Sequence, residues 1–145
     1  MSAGALALPV SPSRAACPAA GAAKGLPIIG YSPYSPLAGG VLTGKYRRAE
    51  PFPAGTRMAL RPDGTALTDS THDALDTLRG VAQARANSSA AVALAWIIGH
   101  PDCAAPVAGP SRTAPRLGHV AEAISLTLTG RERDQLDLAF GHLNG

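Results

Sequence analysis

The sequence predicts an α/β protein with parallel strands, and three observations carry that reading. With 145 residues, 46% of them hydrophobic, the chain has apolar material for one core. Its periodicities run in the order strand, long loop, two helices, strand, helix, helix. Two short apolar runs separated by helices pair through a helical crossover, which is the parallel arrangement.

Residues 1–24 are Ala, Gly, Pro and Ser without a sustained period and are expected to form a poorly ordered leader, with the domain over 25–145. The apolar start lacks a basic residue before it, and Pro9 cuts it short, which argues against a secretory signal. Leu26–Tyr31 is short, apolar and bounded by Gly25 and Pro33, as a buried strand is. From Ser32 to Ser70 runs a segment dense in Gly and Pro, and a loop of such length inside a compact domain is commonly functional.

The spacing of Leu75, Leu78, Val81, Ala82 and Arg85 predicts a helix from Thr71 to Ala86, with Asp73 and Asp76 at its positive end. Asn87 is expected to end it in a left-handed conformation. Ser88 then offers a cap to a helix over residues 89–99. Val92, Leu94, Ala95, Trp96, Ile97 and Ile98 surround its axis, so it reads as buried and Trp96 as core. A second strand is expected over Cys103–Ala108. A helix from Pro115 to Ser125 follows, with Leu117, Val120, Ala121 and Ile124 on one stripe. Thr129 to Arg133 opens the last helix, which carries Leu136, Leu138 and Phe140. Two strands alone leave bare edges, so association in solution is expected.

Composition excludes several functions. Charged residues are 16% of the chain and the formal net charge is +3, with only Arg47 and Arg48 adjacent, which is no nucleic-acid footprint. No run approaches the roughly 20 apolar residues of a membrane span. Cys17 and Cys103 have no metal-ligand spacing and read as reduced thiols of a cytoplasmic protein. His72, His100, His119 and His142 share no spacing and read as scattered surface residues.

Tyr34-Ser-Pro-Leu-Ala-Gly-Gly-Val-Leu-Thr-Gly-Lys-Tyr46 resembles the segment after the seventh barrel strand of the aldo/keto reductases. Gly55-Thr-Arg57, Ser88-Ser-Ala-Ala-Val-Ala-Leu-Ala-Trp96 and Ala105-Pro-Val-Ala-Gly-Pro-Ser-Arg112 resemble later pieces of the same family, in order and spacing. The resemblance implies a partial (β/α)8 TIM barrel, its C-terminal β/α units carrying a long cofactor loop. In TIM barrels the loops after strands 7 and 8 commonly hold a phosphate. Small residues such as Ser35, Ala38, Gly39 and Gly40 allow close approach of backbone to a pyrophosphate.

By resemblance the cofactor is NADP(H). Tyr34 lies against the nicotinamide, Ser35, Pro36, Leu37 and Lys45 line the pyrophosphate, and Arg57 adds charge from a flap. Gly109, Ser111, Arg112 and Arg116 match the region that grips the adenosine 2′-phosphate, a task suited to the bidentate arginine fork. Two residues depart from the pattern: His119 and Val120 stand where many relatives have Glu and Asn near the adenine. Tyr31-Ser-Pro33 also duplicates Tyr34-Ser-Pro36 and puts a proline where the strand ends.

The family's catalytic tyrosine, lysine, aspartate and histidine come from the barrel's first half, and no residue here matches them. No catalytic residue and no metal ligand is therefore assigned. The resemblance implies carbonyl reduction in the intact domain, with a dinucleotide as small-molecule partner and another chain able to supply the first half. A non-catalytic nucleotide-sensing or partner-binding module, as potassium-channel β subunits of this kind are, is the alternative, and a truncated gene remnant is a third.

Overall fold

Three helices gather around a fourth, α2, and the sequence dictates where each begins. The computed structural model describes residues 32–60, 67–101, 103–107 and 115–141, and of Pro115, Arg116 and Leu117 the helical backbone. Helix α1 (Asp69–Ala84) starts where Thr68 Oγ1 accepts the Thr71 N–H at 3.2 Å. That cap recruits Asp69 and Ser70 and sets the start two residues before the spacing of apolar side chains predicts. Ala74, Leu75, Leu78, Val81 and Ala82 form the buried stripe, and His72 is buried too, against the expectation of a surface histidine.

The end of α1 corrects a second expectation. Ala86, not Asn87, takes the left-handed conformation, with φ 53°. The Asn87 N–H reaches back to Ala82 O at 3.0 Å and the Ala86 N–H to Gln83 O at 3.1 Å. This pair of bonds fixes the left-handed residue one position before the outer donor, so Asn87 serves as donor and Ala86 takes the strained φ.

Ser88 caps α2 (Ser89–Ile98), accepting the Ala91 N–H at 3.2 Å, as its sequence predicts. Every residue from Ala90 to Ile97 is buried. Helix α1, helix α3 (Pro115–Ser125) and a 3₁₀ segment (Ala38–Thr43) pack on α2, so its apolar girth is not left open; Ile98 alone is exposed. Burying side chains such as Leu42, Leu75, Leu94 and Leu136, each 2% exposed or less, stabilises the fold by about 1.5–3 kcal/mol apiece.

Helix α3 has the predicted bounds but is turned. Ala123 is buried and Val120 packs partly on the core, while Ile124 is 73% exposed and Ala121 is also exposed. On the face that α3 turns toward the α1–α2 junction, His119 and Glu122 both bond Ser88. Helix α4 (Gly130–Gly141) opens with a reciprocal cap, Thr129 N donating to Glu132 Oε2 at 2.7 Å and Glu132 N to Thr129 Oγ1 at 3.4 Å. It docks by Leu136 and Phe140, with Leu138 outside, and by the Arg85–Glu132 pair, two bonds of 2.6 Å. Trp96 is core, its Nε1 donating to Asp137 at 2.8 Å and its ring 5.3 Å from that of Phe140.

The expected strand Leu26–Tyr31 lies outside the described residues, as do the leader and His142. Of the second expected strand, residues 103–107 contribute an isolated parallel bridge between Val107 and Tyr34, closed by Val107 N donating to Pro33 O at 2.9 Å. Pro33, Pro36 and Pro106, close to that bridge in sequence, have no N–H to donate to a ladder. The described residues are thus mostly helical, with no continuous strand. No helix among them is long and apolar enough to cross a membrane.

Candidate functional site

The segment from Tyr34 to Tyr46 folds as a sequence of left-handed turns. Ser35, Ala38, Gly39 and Gly40 have φ of 53°, 49°, 65° and 97°. Positive φ costs little at the glycines but is strained at Ser35 and Ala38, and such strain gathers at binding loops. The loop holds itself in this shape. Ala38 N donates to Ser35 O at 2.7 Å, Gly39 N to Ser35 Oγ at 3.3 Å, and Gly40 N to Leu37 O at 2.8 Å. Thr43 Oγ1 donates back to Gly40 O at 2.7 Å. Three loop amides are therefore committed internally, and the charge facing a ligand comes from side chains.

Two cations lie on the diglycine. Lys45 Nζ is 2.8 Å from where a Cβ on Gly40 would stand, and Arg57 Cδ is 3.0 Å from the corresponding point on Gly39. Both residues are exposed. Any side chain at either glycine would push one of them away. Lys45 is further seated 5.1 Å from the ring centroid of Tyr46, which is fully buried and meets Phe52 edge-on at 5.3 Å. The chain just beyond is strapped to α1: Arg48 donates to Asp69 and Asp73, each at 2.5 Å, and Arg79 donates to Tyr46 O at 3.4 Å.

The structure thus brings Ser35, Lys45 and Arg57 together. Pro36 is buried and Leu37 packs on the core, so these two shape the turn from beneath. Tyr34 stands 73% exposed at the bridge to Val107. Gly109, Ser111 and Arg112 lie outside the described residues, and Arg116 is placed only as a backbone position in the first turn of α3. Sequence reading did not single out Tyr46, Arg48 or Arg79. The aromatic next to Lys45 was the available signal for the first, whereas nothing local announces contacts from α1.

Residues 14–139 match the sequence profile of the aldo/keto reductase family. The chain belongs to that family. It is 35% identical over 100 residues to an uncharacterized oxidoreductase, YrpG, of Bacillus subtilis, covering 69% of this chain and 28% of that protein. It is 32% identical over 126 residues to the L-glyceraldehyde 3-phosphate reductase of Escherichia coli K12, covering 80% and 35%. A probable voltage-gated potassium channel subunit beta of rice is 33% identical over 88 residues, covering 58% and 26%. The chain spans about a quarter to a third of the length of these relatives. Aldo/keto reductases are oxidoreductases that adopt a (β/α)8 barrel and generally use NAD(P)H. The cradle described above fits such a cofactor in its chemistry: two cations from separate segments beside a turn without side chains suit a diphosphate.

Proposed function

We propose that this aldo/keto reductase chain is the NADP(H)-binding, C-terminal portion of a cytoplasmic carbonyl reductase domain. The observation that carries the reading is the convergence of Lys45 and Arg57 on Gly39 and Gly40. Lys45 and Arg57 neutralise the pyrophosphate, and the bare diglycine lets both cations lie against the turn. Tyr34 offers an exposed ring to the nicotinamide. Arg112 and Arg116, with Gly109 and Ser111, hold the 2′-phosphate and set preference for NADPH over NADH. The bound cofactor supplies the hydride that reduces an aldehyde or ketone. The proton donor comes from elsewhere, because no residue here matches the family's tyrosine, lysine, aspartate or histidine.

Isothermal titration of both cofactors tests the assignment. Lys45→Ala is expected to weaken NADPH and NADH alike, since both carry the pyrophosphate. Arg116→Ala is expected to lose preference for NADPH by roughly 10- to 150-fold, the equivalent of one charge-assisted contact of about 1.5–3 kcal/mol, with NADH nearly unchanged. Equal losses for both cofactors in Arg116→Ala would refute the 2′-phosphate assignment.

A second reading, a non-catalytic nucleotide-sensing or partner-binding module, draws on the likeness to a probable voltage-gated potassium channel subunit beta. Turnover separates the two. The chain alone is expected to bind NADPH without reducing 4-nitrobenzaldehyde above a boiled control, because the general-acid contribution, typically 10²–10⁴-fold, is missing. Activity returning when a polypeptide with the first six barrel strands is added supports the reductase portion. Binding that never leads to turnover supports the sensor.

A further inference from the structure

Where α3 crosses the turn between α1 and α2, three polar side chains meet. Ser88 Oγ lies 2.8 Å from His119 Nδ1 and 2.9 Å from Glu122 Oε2, and it accepts the Ala91 N–H at 3.2 Å. The Ser88 N–H also reaches Glu122 Oε2, at 3.4 Å. A hydroxyl has one proton and two lone pairs. With Glu122 ionised, its carboxylate can only accept, so the Ser88 proton is spent on it. One lone pair is taken by Ala91, and the other can be shared with His119 only if Nδ1 itself carries a proton. The opposite tautomer would set the bare Nδ1 against a second lone pair at 2.8 Å.

We propose that His119 is held as its Nδ1–H tautomer and acts as a positioning residue for cofactor selectivity, fixing through Ser88 the first turns of α3 that carry Arg116. The selectivity part rests on the cofactor reading above. The geometry supports it in two ways. Arg116 precedes His119 by three residues, so the two positions share one helix face. The contact also fixes which face of α3 meets the turn: His119 and Glu122 reach Ser88 while Ile124 stands exposed. Helix α2, the chief neighbour of α3, has no titratable side chain over Ser89–Ile98, and Arg85 beside the turn is paired with Glu132. Among the described side chains, Glu122 is the charged group bonded to Ser88.

Long-range ¹H–¹⁵N correlation spectra of the unaltered chain at about pH 8, above the ordinary imidazole range, read the tautomer directly, His119 being assigned by loss of its signals in His119→Asn. The Nδ1–H pattern is expected, and Glu122→Ala, which frees the Ser88 proton, is expected to move His119 toward Nε2–H. His119→Ala is expected to lower the ratio of NADPH to NADH affinity roughly fivefold, the worth of one ordinary hydrogen bond. His119→Asn, which keeps a donor toward Ser88, is expected to restore it. An Nε2–H pattern in the unaltered chain, or an unchanged ratio in His119→Ala, overturns the proposal. Failure of the unaltered chain to bind either nucleotide overturns the proposed function, and the selectivity role falls with it, while the tautomer is still decided by the spectra.

Discussion

At Gly40 two demands meet in a single residue. The backbone takes φ 97°, which L side chains rarely adopt, and Lys45 Nζ occupies the space a Cβ would need, 2.8 Å away. Gly40→Ala is therefore expected to act twice. Left-handed strain costs about 1–2 kcal/mol of stability, read as a lower denaturation midpoint. Displacement of Lys45 weakens both cofactors, as Lys45→Ala does without the stability loss. A Gly40→Ala chain that binds both nucleotides as tightly as the unaltered one would show that Lys45 does not work from this seat.

Among the elements, α1 ends in a way its residues do not favour. Ala86 sits at φ 53° inside a double hydrogen-bonded C-cap, a position where glycine is free of Cβ strain. Ala86→Gly is expected to stabilise the chain by about 1 kcal/mol, raising the thermal midpoint by roughly 2–4 °C for a chain of this size. Residue 86 is exposed and far in sequence from the loop, so cofactor binding should not change. The case also shows what local sequence hides. Asn87 is the residue type that favours a left-handed turn, yet register is decided by which amide reaches Ala82 O, and that is a property of the whole cap. Ser88, in contrast, was legible as a cap because the donor it satisfies lies three residues away in the same segment.

For the molecule as a whole, one ion pair ties the two ends of the helical array. Glu132, bonded by the Arg85 guanidinium and by the Thr129 amide and hydroxyl, has its carboxyl lowered from 4.5 to about 2. The Arg85 pKa is raised by the same hydrogen bond and charge. A carboxyl depressed on folding contributes stability that is complete above the unfolded value of 4.5 and is lost as pH falls toward 2. Acid unfolding followed by circular dichroism is expected to steepen in that window, and Glu132→Gln, which keeps a cap at this position, is expected to flatten it. An identical acid profile in the two chains would remove the pair from the account of stability.

The sequence by itself determined what depends on neighbours within a turn or two: the four helices, the Ser88 cap, the apolar stripe of α1, the buried character of α2, and the diglycine loop with its lysine. Tertiary structure decided what depends on residues far apart. Arg57 reaches Gly39 across eighteen positions, Arg48 and Arg79 fasten the Lys45 segment to α1, and Ser88 bonds His119 and Glu122 of α3. Periodicity assigns an apolar face to a helix, but hydrogen bonds are short and directional, and where a polar group must be matched across two elements they set the rotation. On α3 the face that meets Ser88 carries His119 and Glu122, and Ile124 stands in water although the pattern of its sequence points that side chain inward.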